Sequence, residues 1–263
     1  MLPFSPTSLP QLFFFFFTNA FVILVCAFCA LLFWVVHRRE RKLRTAWRAA
    51  GFFTLALAAS MSLLSPLLPR LIVVGALLEA LGFFLVYQGV KKELTLSHLR
   101  TISPYGEMTN DRGFGIWALG LWSLNGHWGL VIGHSLLHLL SIAFIAATLL
   151  LQLRRFFAER DGRLTFMQNL YPLVGYVCLL VSTLLAATSP LLAEYIWLPH
   201  AMLILTVLGF FFLSLWAWIF IRVRPSLRIS WLLLANGTLA VTFVAVTLTS
   251  LIVLGLRTLL AEI

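Results

Sequence analysis

The chain has 263 residues, of which 61% are hydrophobic and 11% are charged, and its mean hydropathy is +0.99. A soluble domain carries roughly 25% charged residues, so the composition excludes a water-soluble globular protein. The formal net charge of +10 comes from 19 Lys and Arg against 9 Asp and Glu. Because the basic residues lie at the ends of apolar runs, they indicate cytoplasmic loops beside anionic lipid and not a nucleic-acid partner.

Seven apolar segments are long enough to cross a bilayer, which requires about 20 residues of helix. Backbone groups in lipid must form their hydrogen bonds internally. We therefore predict an all-α, polytopic transmembrane bundle that forms a single integral membrane domain over residues 1–263. The predicted spans, in chain order, are 11–36, 46–68, 70–90, 128–153, 168–193, 196–221 and 229–256.

The first span has no basic segment before it and a basic block after it. This order is typical of a span that is retained, not of a cleaved signal peptide. Cys26 and Cys29 form a CxxC within this span, and Cys178 also lies in an apolar run. We interpret all three as small core residues because a CxxC in a lipid-embedded helix lacks the usual redox context.

Two predicted hairpins resemble each other in sequence. The segment GFFTLALAASMSLLSPLL (51–68) aligns without a gap with GYVCLLVSTLLAATSPLL (175–192). The helices that follow, GALLEALGFF (75–84) and HAMLILTVLGFF (200–211), also correspond, and we group HSLLHLLSIAF (134–144) with them. We therefore predict an internal hairpin repeat, a feature of many membrane transporters.

The basic loops indicate the orientation. HRRERKLRTAWR, LRRFFAERDGR and RVRPSLR carry six, four and three Lys and Arg, so we predict that all three loops are cytoplasmic and that the N-terminus lies outside. Lys92 then ends the third span inside, and Arg155 also ends the fourth span inside. The chain must cross back between them, and GFGIWALGLWSLNG (113–126) is the candidate for a short eighth crossing. The charge rule favours eight crossings, whereas hydropathy favours seven.

Three histidines share one helical face. His127, His134 and His138 are seven and four residues apart, which returns each to nearly the same side of a helix. His200 begins the sixth span at the position that His134 has in its own segment, so we expect the two at equal depth near the outer leaflet. Such a pair can ligate a haem, or supply half of a zinc site. The alternatives are interhelical hydrogen bonds between neutral imidazoles and recognition of a ligand.

Glu79 is the most prominent polar residue within the apolar runs. It lies in VVGALLEALGFF with no other charge nearby in sequence, and an ionisable residue inside a membrane marks a candidate functional site. We expect this carboxyl to be neutral or to pair with a histidine across the bundle. Because His138 has the equivalent place in its own segment, we predict a polar core of Glu79, His127 and His138.

No catalytic motif is present: the sequence has no Walker loop, no GxSxG and no HExxH. HRRERKLRTAWRAAGFFTLALAAS and GHSLLHLLSIAF resemble the multi-pass N-terminal membrane sensor domains of bacterial histidine kinases and diguanylate cyclases. The resemblance covers most of the chain and implies helix hairpins in a bacterial inner membrane. The chain departs from that pattern because no output domain follows Ile263, and because eight crossings would place the C-terminus outside.

These features together predict a non-enzymatic membrane sensor or ligand-binding module of a bacterial signalling system. The alternatives are a haem-binding subunit that transfers electrons, with His134 and His200 as ligands, and a small transporter built from repeats. The expected partners are the lipid bilayer and a protein partner or second copy within the membrane.

Overall fold

The structure is a computed structural model that describes residues 9–65, 71–102, 127–158, 163–188, 198–222 and 230–261. Over these residues it consists of seven α-helices, each long and apolar enough to span a membrane. The predicted all-α transmembrane bundle with seven clear spans is therefore confirmed. The candidate eighth crossing at 113–126 lies outside the described residues. The helices are α1 (Leu9–Glu40), α2 (Leu43–Leu64), α3 (Leu71–Ile102), α4 (His127–Ala158), α5 (Arg163–Thr188), α6 (Leu198–Arg222) and α7 (Trp231–Ala261).

A two-residue turn joins α1 to α2. Arg41 adopts the left-handed conformation, with φ of 47°, and its backbone N–H donates to the His37 carbonyl at 2.7 Å. This arrangement is a common helix C-cap. Lys42 forms an ion pair with Glu40 at 2.9 Å, and the chain then reverses into α2.

Glycines bring α2 and α3 into close antiparallel contact. A Cβ added to Gly82 of α3 would stand 2.7 Å from Cγ of Leu55 and 3.1 Å from the carbonyl oxygen of Gly51, both in α2. A Cβ on Gly89 would stand 2.6 Å from Cγ of Arg48, near the start of α2. Only a residue without a side chain allows the two helices to approach this closely.

The hairpin of α5 and α6 repeats this packing. A Cβ on Gly209 of α6 would stand 2.7 Å from Cγ of Leu179 and 3.1 Å from the carbonyl oxygen of Gly175, both in α5. The contact matches that of Gly82 in the first hairpin, and LLEALGFF (77–84) thereby aligns with ILTVLGFF (204–211). The predicted internal repeat is thus present in the packing of the helices.

The two hairpins point in the same direction. The ring centroids of Phe14 and His200 lie 6.0 Å apart, and those of Phe33 and Trp216 lie 5.4 Å apart, so α1 and α6 run parallel. Since α1 is antiparallel to α2 and α6 is antiparallel to α5, the helices α2 and α5 also run parallel. The turns that contain Pro66 and Pro190 lie outside the described residues.

The repeat extends to the helix that precedes each hairpin. α1 packs against α2 and α6, while α4 packs against α5 and α3. The units α1–α3 and α4–α6 are therefore related by an approximate twofold axis along the helix direction. The sequence grouped residues 134–144 with the second helices of the hairpins, which are α3 and α6. These residues belong instead to α4, the helix that precedes a hairpin. Apolar helices resemble each other in composition whatever their position, which explains the difference.

Helix directions also place the basic residues. α4 and α5 meet where Phe156 contacts Phe166, with ring centroids 5.4 Å apart, so α4 runs antiparallel to α5 and parallel to α3. The C-terminal parts of α1, α3 and α4 therefore lie toward one end of the bundle, and they carry Arg39, Lys92 and Arg155. Ile102 and His127 lie at opposite ends, which is the relationship that an eighth crossing requires.

Candidate functional site

A cavity of about 30 Å³ lies between the two hairpins. A cavity needs roughly 10–15 Å³ to hold one water, so this space is sufficient for at least one water. Leu55 and Leu179 form equivalent parts of its wall, as do Phe83 and Phe210, and Ala186 completes the apolar lining. The cavity therefore lies on the approximate twofold axis, where the two repeats meet.

The polar lining of the cavity comes from three helices. Glu79 of α3 is 3% exposed, and it shares the cavity with Ser182 and Thr183 of α5 and Thr206 of α6. Glu79 and Thr206 are equivalent positions in the aligned segments 77–84 and 204–211. The repeats thus present a carboxyl on one side of the axis and a hydroxyl on the other.

The hydroxyl protons are directed away from the cavity or shared between the hydroxyls. Ser182 and Thr206 lie 3.0 and 2.9 Å from the Met202 carbonyl oxygen, respectively, and their own hydroxyl oxygens are 2.8 Å apart. Thr183 donates to the Leu179 carbonyl at 2.8 Å. Each hydroxyl has one proton and two lone pairs, so what these side chains can offer to an occupant is lone pairs.

A second polar feature lies nearer the basic end of the bundle. Arg48 of α2 has no exposed surface, and its guanidinium carbon lies 5.5, 5.2 and 5.6 Å from the ring centroids of Phe33, Trp216 and Phe220. A desolvated cation–π contact contributes about 2 kcal/mol, so this aromatic cage stabilises a charge that would otherwise be costly to bury. Gly89 of α3 leaves room for the stem of the side chain.

By its position in the sequence, Arg48 is one of the basic residues of the loop after the first span, but the structure places it inside the bundle. The signal was present, because Arg48, Phe52 and Leu55 are four and seven residues apart and share one face of α2. Seven residues correspond to about 10 Å of helix. The aromatic cage and the cavity are therefore separate layers of the same interface.

Two of the predicted site histidines, His138 and His200, have described side chains. His138 is 1% exposed in α4, and His200 is half-buried with its ring 6.0 Å from that of Phe14. Of the described side chains, neither of these two lines the cavity. The side chains of His127 and His134 lie outside the described residues, so a His134–His200 haem site stays a prediction.

Other candidate ligands do not gather into a metal site within the described part of the chain. There, no group of three or more His, Cys, Asp or Glu side chains is placed to hold a metal ion. Cys26 and Cys29 are buried, unbonded thiols in the apolar core, the environment expected of small core residues.

Comparison with family models, characterised proteins and solved structures gives no significant match. The function is therefore inferred from the cavity, the residues that line it and the symmetry of the helices around it.

Proposed function

We propose that this protein is a non-enzymatic integral membrane module that binds a small ligand between its two three-helix repeats. The observation that carries the proposal is the position of Glu79, which is a buried carboxyl in a polar cavity on the axis that relates the repeats. Ionisable residues within membrane spans are rare and commonly mark ligand or ion sites. Binding sites of repeat-built membrane proteins also lie at the interface between the repeats.

A bacterial inner membrane and an outside N-terminus belong to the same proposal. Arg39, Lys92 and Arg155 lie at one end of the bundle, and loops rich in Lys and Arg remain in the cytoplasm. In this orientation a sensor would report occupancy of the cavity through the basic end, where Lys92 lies over the Trp47 ring at 5.1 Å and joins α2 to α3.

A small transporter is the second candidate function, and one observation favours it. Parallel repeats related by an axis along the membrane normal occur in transporters that rock one repeat against the other around a central site. The cavity here has equivalent walls from both repeats, Leu55 with Leu179 and Phe83 with Phe210. A sensor and a transporter differ in the sides of the membrane from which the cavity can be reached.

Access to the cavity can be measured with a cysteine at Thr206. In a background where Cys26, Cys29 and Cys178 are replaced by Ala, Thr206→Cys would be exposed to Ag⁺ from either side of oriented vesicles. Ag⁺ is a small ion that binds thiols. After denaturation, maleimide modifies the thiols that Ag⁺ has not bound, and mass spectrometry reports the fraction of thiols that Ag⁺ has protected.

If Ag⁺ protects the Thr206→Cys thiol when it is added on one side of the membrane only, the result supports a binding module. If Ag⁺ protects the thiol when it is added on either side, the result supports a transporter. If Ag⁺ protects the thiol from neither side, the proposal is overturned, and the polar side chains form a closed layer of the core. Thr238→Cys in α7 is the matched control, because Thr238 is part-buried like Thr206 and donates to its own helix at 2.8 Å but does not line the cavity. It should not react from either side.

A further inference from the structure

We propose that the exposed face of α7 binds the same face of α7 in a second copy of this chain, with the two Asn236 side chains hydrogen-bonded to each other. The proposal goes beyond ligand binding in the cavity, because α7 supplies none of the described cavity residues. α7 follows the two three-helix units and packs against α1 and α2 of the first unit. It is therefore a helix outside the repeat, with one side on the bundle and the other side turned outward.

The two sides of α7 carry different residues. Leu234, Ala245 and Thr249 are buried against the bundle, and their spacing of eleven and four residues places them on one side of the helix. On the opposite side, exposed residues follow each other at spacings of three, four and three, which are those of the contact positions in a pair of left-handed supercoiled helices. Most transmembrane helices pack with this handedness. The exposed residues in this series are Asn236, Leu239, Phe243 and Val246.

Asn236 lies within the apolar layer and not at its edge. A Cβ added to the neighbouring Gly237 would stand 2.6 Å from Cδ2 of Leu31 in α1. Leu31 precedes His37, the first basic residue in the last turn of α1, by six residues, or about 9 Å of helix. The short side chain of Asn236 cannot reach water over that distance, and it makes no hydrogen bond within the described part of the chain. Because a carboxamide without a hydrogen bond is costly in hydrocarbon, this face favours a polar partner over lipid.

The chemistry of Asn236 selects a second copy as that partner. A carboxamide has two N–H donors and one carbonyl acceptor, so two asparagines can each donate to the other. Copies of one chain enter the membrane in the same orientation, so two α7 helices related by a twofold axis along the membrane normal run parallel. In a parallel pair, a residue at a contact position meets the same residue of the other helix. Asn236 would therefore meet Asn236 of the second copy at the same depth.

The apolar residues of the face fit this arrangement but do not select it. Residues 232–251 contain no charged side chain, so the face does not require a charged partner. Apolar side chains gain little when they leave lipid for a second helix, whereas an interhelical hydrogen bond contributes to association. Removal of the Asn236 carboxamide alone should therefore weaken the pair.

Disulfide crosslinking of the full chain in lipid vesicles tests the proposal. In a background where Cys26, Cys29 and Cys178 are replaced by Ala, Phe243→Cys places a thiol on the proposed contact. Val244→Cys is the matched control, because it places a thiol at nearly the same depth on the adjoining side of α7, and the native side chains are 72% and 47% exposed. Under mild oxidation at a low ratio of protein to lipid, Phe243→Cys should form a linked dimer and Val244→Cys should form far less. Mixing chains that carry tags of different mass shows that the disulfide joins two copies.

Variants at position 236 assign the contact to the carboxamide. Asn236→Leu in the Phe243→Cys chain should lower the yield of linked dimer about threefold or more, the effect of losing one interhelical hydrogen bond. Asn236→Gln keeps the carboxamide and should retain more dimer than Asn236→Leu. Leucine suits an exposed position of a membrane helix, and the thermal midpoint of the reduced chain checks that the variant is folded.

Equal linking of Phe243→Cys and Val244→Cys would indicate random collisions and overturn the proposal. An undiminished yield in Asn236→Leu would overturn it as well, because the pair would then not depend on the carboxamide. If Phe243→Cys forms no linked dimer, lipid or another segment of the same chain covers the face, and the proposal is wrong.

Discussion

The guanidinium carbon of Arg48 lies 5.2 Å from the centroid of the Trp216 ring, and this contact joins α2 of the first repeat to α6 of the second. Phe33 and Phe220 surround the same charge. An arginine is suited to this role because its planar, weakly hydrated group can lie against several rings at once, whereas the lysine ammonium is a compact and strongly hydrated point charge. Arg48 therefore holds the two repeats together near the basic end.

Replacing Arg48 with lysine should destabilise the protein by about 2 kcal/mol, since the ammonium cannot face all three rings. The midpoint of thermal unfolding in detergent measures the loss. Arg38→Lys, at an exposed position of α1, should change the stability by less than about 0.5 kcal/mol. Equal effects of the two substitutions would show that the aromatic cage contributes nothing specific.

The glycines of the repeat should respond as a pair. Gly82→Ala and Gly209→Ala each place a Cβ 2.7 Å from a leucine Cγ, and overpacking of this kind costs about 1–3 kcal/mol. Gly75→Ala is the control, because its Cβ would meet nothing nearer than 3.5 Å and alanine favours a helix over glycine by about 1 kcal/mol. The first two variants should unfold at lower temperature, and the third at the same or a higher temperature. A loss at position 82 without a comparable loss at 209 would contradict the equivalence of the hairpins.

Arg41→Gly should stabilise the turn between α1 and α2. A left-handed backbone costs an L-residue roughly 1–2 kcal/mol, and glycine at φ of 47° avoids that cost. The expected gain in the free energy of unfolding is about 1 kcal/mol, which a higher thermal midpoint would report. The same substitution at Arg38, within α1, should instead lose about 1 kcal/mol through helix propensity. A fall in stability for Arg41→Gly would mean that its side chain matters more than its backbone.

Orientation can be measured by cysteine labelling with an impermeant reagent. In the background without native cysteines, Arg41→Cys should be labelled only from the cytoplasmic side, since the turn lies at the basic end. Arg160→Cys and Arg224→Cys should behave in the same way, although both positions lie outside the described residues. Thr7→Cys, near the N-terminus, should be labelled only from the opposite side. Labelling of positions 41 and 7 from the same side would contradict the orientation.

Hydropathy predicted the spans because the apolar runs are long. Glu79 was predicted as a site residue because it is an ionisable residue within an apolar run. Ser182 and Thr206 were missed because a hydroxyl in a helix usually donates to its own backbone, as Thr249 does here. Only the packing of α5 on α6 brings Ser182 to the Met202 carbonyl of the next helix, at 3.0 Å.

The extent of the repeat could not be predicted from sequence for a similar reason. GFFTLALAAS and GYVCLLVSTL share glycine and leucine at the positions where helices touch, so the hairpin was visible. α1 and α4 share no such positions, and their equivalence follows only from their neighbours. Arg48 was missed because a basic residue at the start of a span is usually solvated, and rings from α1 and α6 surround it only after folding.

Glu79 and Thr206 occupy equivalent positions in the two repeats but are different residues. This difference limits how such a site can arise. Two separate copies of one three-helix chain would place identical residues at both positions. Two carboxyls in so small a space would repel each other and compete for one proton, and two threonines would provide no charge. Joining both units in a single polypeptide lets each position mutate alone. The linkage between the halves is therefore what permits a one-acid site on a symmetric scaffold.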